Sequence, residues 1–96
     1  MDRIDAMVQG QAVGDVPRST PRSFGQAIRE FRLDQGVSQE ELGYRSGMDR
    51  SYVGGVERGE RNPSLRCIQR LSDGLKIPAS AILRRSEELA EQEEDR

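Results

Sequence analysis

The sequence predicts an all-α fold of five helices. The chain has 96 residues, about the length of one domain. Its apolar side chains recur at helical spacing, and no stretch of useful length alternates apolar and polar residues as a half-buried strand does. We expect a flexible N-terminal arm over residues 1–22, a helical domain over residues 23–83 and an acidic C-terminal helical tail over residues 84–96.

The arm is predicted from interruptions of the chain. Gly10, Gly14, Pro17 and Pro21 break up residues 1–22, and no apolar periodicity is sustained there. Such a segment cannot bury enough apolar surface to order by itself. We therefore place it outside the core.

The first helix is predicted to start at Ser23, where Ser23 and Gln26 fit a capping box, and to close near Gly36. Its inward side chains follow the spacing i, i+3, i+4, i+7 typical of an amphipathic helix: Phe24, Ala27, Ile28 and Phe31.

A short second helix is expected to follow Ser38. Ser38 and Glu41 have the spacing of a second capping box. Gly47 then arrives where a helix would end on a left-handed residue, so the second helix ends there.

The third helix is capped by Asp49 and stops at Gly59, with inward residues Met48, Val53 and Val56. Asn62, Pro63 and Ser64 then form a turn and an N-cap. The fourth helix carries an apolar stripe of Leu65, Ile68, Leu71 and Leu75 and ends near Lys76.

A fifth helix follows Ile77 and Pro78. Its apolar residues are Ala81, Ile82 and Leu83, and the pattern can extend through Leu89 and Ala90 toward the acidic end. An extended C-terminal helix is therefore part of the prediction.

Composition argues against an enzyme. The chain has no histidine and a single cysteine, Cys67, which excludes histidine acid–base catalysis, Cys/His zinc sites and an internal disulfide. Glu57 and Glu60 lack the cleft, metal site or base partner that a catalytic carboxylate pair needs. We expect no catalytic residues, no metal and no cofactor.

No membrane partner is expected either. No apolar run exceeds three residues, whereas a membrane span needs about 20. No signal peptide is visible. The expected location is the cytoplasm.

The charges are distributed unevenly. The formal net charge is -2, with nine positive and eight negative side chains in residues 23–83 and three and six in residues 84–96. All positive side chains except Lys76 are arginines, which suit phosphate and guanine recognition. A nucleic-acid site would have to come from local charge.

Two short helices joined around Gly47 match a helix-turn-helix, whose second helix lies in the major groove of DNA. Around this turn the chain carries Arg32, Gly36–Leu42, Gly47-Met48, Val53, Val56–Gly59 and Asn62–Leu65. With these residues the chain resembles the phage-repressor/Cro-like (XRE) family over about residues 23–83, and within it small stand-alone regulators such as restriction-modification controller proteins.

The resemblance implies a prokaryotic transcriptional regulator that binds double-stranded DNA as a homodimer on a partly palindromic operator, with a recognition helix over about residues 49–58. Gly43 departs from the family pattern, which usually has alanine there. The missing methyl group either allows a closer helix approach or weakens the second helix by about 1 kcal/mol.

Base contacts are expected from the first turn of the recognition helix. Arg50 and Ser51 would face base edges, beside the cap Asp49, and Tyr52 would add a backbone or methyl contact. An arginine bridging guanine O6 and N7 is worth about 1–3 kcal/mol of discrimination. The alternative is an exposed Arg50 paired with Asp49.

Gly54 and Gly55 are unfavourable within a helix. They either permit close approach to DNA or are simply tolerated by a short segment. Because neither has a side chain to contact a base from the second turn, specificity would rest on few contacts and on DNA shape.

Phosphate contacts are expected on both sides of the recognition helix. Gln39 stands at the start of the second helix, where backbone amides hold a phosphate, and Arg61 and Asn62 follow the third helix. Arg45 and Arg58 are weaker candidates, equally compatible with solvated surface positions.

The resemblance also implies that Arg32 and Glu57 form a structural ion pair.

A dimer contact is expected at Leu75, Ile77, Ile82 and Leu83, with monomer core as the alternative. Cys67 is expected to fill core or interface, with a redox switch as the alternative.

The acidic tail allows three interpretations: a solvated helix end, an extended dimer helix, or a contact for RNA polymerase or another protein. Its acidic residues include Glu87, Glu88, Glu91, Glu93 and Glu94. A rival function is a protein-interaction module, such as an antitoxin on the same scaffold, with DNA binding secondary.

Overall fold

We describe residues 16–94 of the chain in a computed structural model, with side chains through residue 93. This part contains five helices and no strand, as the sequence predicts. They are α1 (Pro21–Asp34), α2 (Gln39–Ser46), α3 (Arg50–Glu57), α4 (Leu65–Leu75) and α5 (Ala79–Glu94). Most of the predicted arm, residues 1–15, lies outside the described residues.

Helix α1 begins earlier than predicted. Thr20 is its N-cap, and the Thr20 hydroxyl accepts the Ser23 amide at 3.0 Å while the Ser23 hydroxyl accepts the Thr20 amide at 2.8 Å. The capping box predicted for Ser23 and Gln26 is therefore wrong. Pro21 occupies the first turn, where its missing N–H needs no partner, so the helix includes Pro21 and Arg22.

The caps of α2 and α3 differ in part from expectation. The Ser38 hydroxyl accepts the Glu41 amide at 3.0 Å, but the Glu41 carboxylate pairs with Arg45 instead of the Ser38 amide. Gly47 ends α2 in the left-handed region, at φ 65°. Asp49 occupies the N-cap position of α3 but makes no side-chain capping bond. The predicted position of the cap is therefore correct, whereas the capping hydrogen bond is not formed.

Helix α5 crosses the predicted boundary at residue 84 without a break. Ser86, Leu89 and Ala90 are buried, because α5 packs mainly on α1. The Ser86 hydroxyl lies 3.0 Å from that of Ser23 inside the contact. This part of the predicted tail thus belongs to the folded domain.

The core lies where the five helices meet. Leu75 and Ile82, expected at a dimer contact, are 1% and 0% exposed within the single chain. They are core residues, which corrects the expectation, because a side chain without exposed surface offers nothing to a partner. The other fully buried core residues are Ala27, Ile28, Leu42, Val53, Val56 and Leu71.

Glycines permit two close helix approaches. A methyl group on Gly25 would fall on the Val56 carbonyl oxygen, where α1 crosses α3, and one on Gly43 would lie 2.7 Å from the Met48 oxygen. Of the two explanations drawn from the sequence, the contact at Gly43 therefore favours a closer approach, here of α2 to the turn that follows it.

None of the described helices is both long and apolar enough to cross a membrane.

We predict that Gly25→Ala lowers the free energy of unfolding by about 1–3 kcal/mol, because the added methyl group forces α1 away from α3. Urea denaturation measures the change. Gln26→Ala, an exposed substitution on the same helix, should change it by less than about 0.5 kcal/mol. Equal effects of the two substitutions would contradict the packing argument.

Candidate nucleic-acid interface

A buried ion pair joins α1 to α3. Arg32 Nε lies 2.6 Å from Glu57 Oε2, and Nη2 lies 2.9 Å from Oε1. Arg32 Nη1 also donates to the Val37 carbonyl at 2.9 Å. The hydrogen bonds to Glu57 raise the pKa of Arg32, against the opposing effect of burial. One guanidinium thereby ties together α1, the segment before α2, and α3.

Gln39 joins the same network. It is the first residue of α2, and its side-chain amide donates to Glu57 Oε1 at 3.1 Å. The sequence predicts the Gln39 side chain at a phosphate, but one N–H of its amide is used in this internal hydrogen bond. The backbone amides at the start of α2 are consequently held in a set orientation relative to α3.

The first turn of α3 is open to solvent. Arg50 and Ser51 are exposed, and Arg50 lines an open cleft with Ser38, Gln39 and Glu40 at the start of α2. Among the described residues Arg50 has no ion pair, and in particular the alternative pair with Asp49 is not formed. The Arg50 guanidinium is thus available to a ligand.

Tyr52 is placed differently from Arg50. It is half-buried, and its hydroxyl donates to Cys67 Sγ on α4 at 3.6 Å. The bond to Cys67 is the largest cause that raises the pKa of Tyr52. Hydrogen bonds from Ser64 and then Tyr52 lower the pKa of the Cys67 thiol. The hydroxyl of Tyr52 is therefore directed at α4, and Cys67 itself is half-buried.

Four further residues were expected at phosphates. Arg45 pairs with Glu41 at 3.1 Å and Arg58 with Glu60 at 2.6 Å, all with side chains at least 40% exposed. Exposed pairs of this kind are weak, so both arginines can exchange their partners for phosphate. The other two, Arg61 and Asn62, are exposed on the segment after α3.

The two glycines within α3 are covered by arginines. A methyl group on Gly54 would lie 3.0 Å from Arg58 Nη1, and one on Gly55 would lie 3.1 Å from Arg61 Cγ. Both glycines are buried. Close approach to DNA and simple tolerance, the two explanations drawn from the sequence, leave out these intramolecular contacts.

Sequence reasoning missed the Gln39–Glu57 bond and the stacking of Arg61 on Tyr52, whose guanidinium carbon and ring centroid are 5.6 Å apart. Neither has a helical spacing that could have revealed it.

In the described part of the chain, no cluster of three or more potential metal ligands occurs.

We predict that Arg32→Ala lowers the free energy of unfolding by about 3–5 kcal/mol, because it leaves the Glu57 carboxylate, 2% exposed, buried without its charge partner. Chemical denaturation monitored by circular dichroism measures this. Arg45→Ala removes an exposed pair and should cost less than about 1 kcal/mol. A small loss for Arg32→Ala would contradict the anchoring role.

Comparison with known proteins places this arrangement in a family. Residues 28–82 match the family model HTH_3, described as helix-turn-helix. The chain is 38% identical over 61 residues to the control protein C.BamHI of Bacillus amyloliquefaciens, covering 62% of this chain and 75% of that protein.

Solved structures agree. The restriction-modification controller protein C.AhdI from Aeromonas hydrophila is similar, with a TM-score of 0.64 and 52% identity over 65% of this chain and 94% of that chain. The controller protein C.Esp1396I, solved as a tetramer with its natural 35 base-pair operator, has a TM-score of 0.63 and 30% identity over 67% and 84% of the two chains. The chain therefore belongs to the helix-turn-helix family, among its XRE-type transcriptional regulators.

Proposed function

We propose that this protein regulates transcription by binding a partly palindromic operator as a homodimer, with α3 in the major groove. The observation that carries the proposal is the exposed first turn of α3, with Arg50 and Ser51, beside the start of α2. The buried network of Arg32, Glu57 and Gln39 holds these two helices together. The operator complex of C.Esp1396I supports DNA as the ligand and an oligomer as the binding form.

Specificity in this proposal comes from α3. The unpaired Arg50 guanidinium donates to guanine O6 and N7, and Ser51 and the exposed Asp49 lie at the same end of the helix. Tyr52, directed at α4, contributes through its ring and backbone. Few side chains read bases, so DNA shape adds to specificity.

Affinity comes from phosphates on either side of α3. The amides at the start of α2, with Gln39, hold one phosphate, while Arg61 and Asn62 hold another beyond the end of α3. Arg45 and Arg58 exchange exposed carboxylate partners for phosphate as the protein docks. No chemical step is involved, and we place the protein in the cytoplasm, with its DNA.

The dimer contact is proposed at the half-buried residues Ile77 and Leu83. Leu83 lines a groove with Pro21, Phe24, Pro63 and Ile68, which gives a second copy an apolar surface. A symmetric contact would set two α3 helices about 34 Å apart, one helical turn of DNA.

Helix α5 offers a separate surface to a protein partner. Glu88 and Glu91 are exposed, and α5 packs mainly on α1, with a smaller contact on α4. We propose this acidic face as the contact for RNA polymerase or another regulatory protein.

The function is tested by selecting bound duplexes from a random DNA pool and measuring their affinity by fluorescence anisotropy. We expect two related half-sites centred one helical turn apart and a log–log salt slope near -0.9 per phosphate contacted. Equal, weak binding to selected and scrambled duplexes at about 150 mM salt would contradict the proposal, since specific complexes normally bind at 10⁻⁸–10⁻¹¹ M.

We predict that Arg50→Ala weakens binding to the selected duplex by about 1–3 kcal/mol with a much smaller effect on scrambled DNA, because its hydrogen bonds depend on the base. Gln39→Ala and Arg61→Ala should weaken binding to both duplexes, because phosphates are common to both. Anisotropy titrations of the three variants check this division. Parallel losses on the two duplexes for all three would refute it.

We predict that Leu83→Glu weakens dimerisation at least about tenfold, because it places a charge in an apolar contact repeated in both subunits. Sedimentation equilibrium measures the change, with circular dichroism to verify folding. Leu33→Glu changes a leucine on α1 that is already 54% exposed and serves as the control. A folded Leu83→Glu variant with unchanged dimerisation would exclude this surface.

A further inference from the structure

We propose that Gly55 is a positioning residue for Arg61. Because Gly55 has no side chain, the side chain of Arg61 can lie directly across α3 at this position. The Arg61 guanidinium is thereby ordered before the protein binds DNA. The inference rests on the proposed DNA-binding function and extends it, because it assigns a role to a residue that cannot itself contact a base through a side chain.

The end of α3 brings Arg61 back to Gly55. The Gly59 amide donates to the Val56 carbonyl at 3.0 Å, and the Glu60 amide donates to the Gly55 carbonyl at 2.9 Å. Gly59 has φ 77°, the left-handed conformation that this reversal requires. The chain therefore reverses direction after α3, and this reversal places Arg61 beside Gly55.

The side chain of Arg61 is then held at two points. An added methyl group on Gly55 would lie 3.1 Å from Arg61 Cγ, 3.4 Å from Nε and 3.9 Å from Cδ, so the stem runs directly over the glycine. The guanidinium carbon lies 5.6 Å from the centroid of the Tyr52 ring, within range of a cation–π contact. The hydroxyl of Tyr52 is in turn bonded to Cys67.

The guanidinium of Arg61 is not neutralised by a carboxylate of the described residues. Arg45 and Arg58 each pair with a carboxylate, whereas Arg61 has no ion pair with any residue of the described part. A flexible arginine loses rotamer freedom when it binds. An arginine already ordered on Gly55 and Tyr52 loses less, which strengthens a phosphate contact without adding a bond.

The test is Gly55→Ala, measured by thermal unfolding and by anisotropy with the selected duplex over a salt series. The methyl group displaces the Arg61 stem, so we expect affinity to fall about threefold to tenfold, the cost of ordering one long side chain. The salt slope should stay unchanged, because the charge still reaches its phosphate. The melting temperature should not fall, since alanine favours the helix more than glycine does.

A double-mutant cycle distinguishes this role from a general effect on α3. In an Arg61→Ala background, Gly55→Ala should leave affinity unchanged, because no stem remains to displace. Equal losses in both backgrounds, or no loss from Gly55→Ala in the wild-type background, would overturn the inference.

The wild-type protein separates the two levels of the proposal. Failure of the wild-type chain to select any duplex contradicts DNA binding itself. Selective wild-type binding that Gly55→Ala leaves intact contradicts only the positioning role of Gly55.

Discussion

The ion pair between Arg32 and Glu57 is the interaction on which the rest of the interface depends. Two charged groups are almost completely removed from water, which is costly unless their geometry and hydrogen bonding are good. Here the contact is bidentate, and Val37 and Gln39 supply further bonds. The result is a fixed relation between three helices, with the start of α2 and the first turn of α3 on the same side of the pair.

Short helices make this anchor necessary. Helices α2 and α3 span eight residues each, below the length at which a helix is stable by itself. Their orientation therefore comes from tertiary contacts. Gly25 and Gly43 permit close backbone approach at two of these contacts, so the rigidity of the interface depends on missing side chains as well as on present ones.

The acidic end of the chain has a dual character. Its buried face, with Ser86, Leu89 and Ala90, extends the core over α1, and Arg85 pairs with Glu30 at 2.7 Å across the same contact. Its other face carries the exposed carboxylates Glu88 and Glu91. One helix thus completes the domain and also carries exposed negative charge.

The sequence by itself determined the helix order, the left-handed end at Gly47, the stop of the third helix at Gly59, and most of the core, because caps, turns and apolar periodicity are local signals. It also indicated the helix-turn-helix and the pairing of Arg32 with Glu57 through resemblance. Only the tertiary structure decided that Leu75 and Ile82 lie in the monomer core, that Tyr52 is directed at Cys67, and that Arg61 lies over Gly55. These contacts join separate parts of the chain, and their geometry follows from how the helices pack.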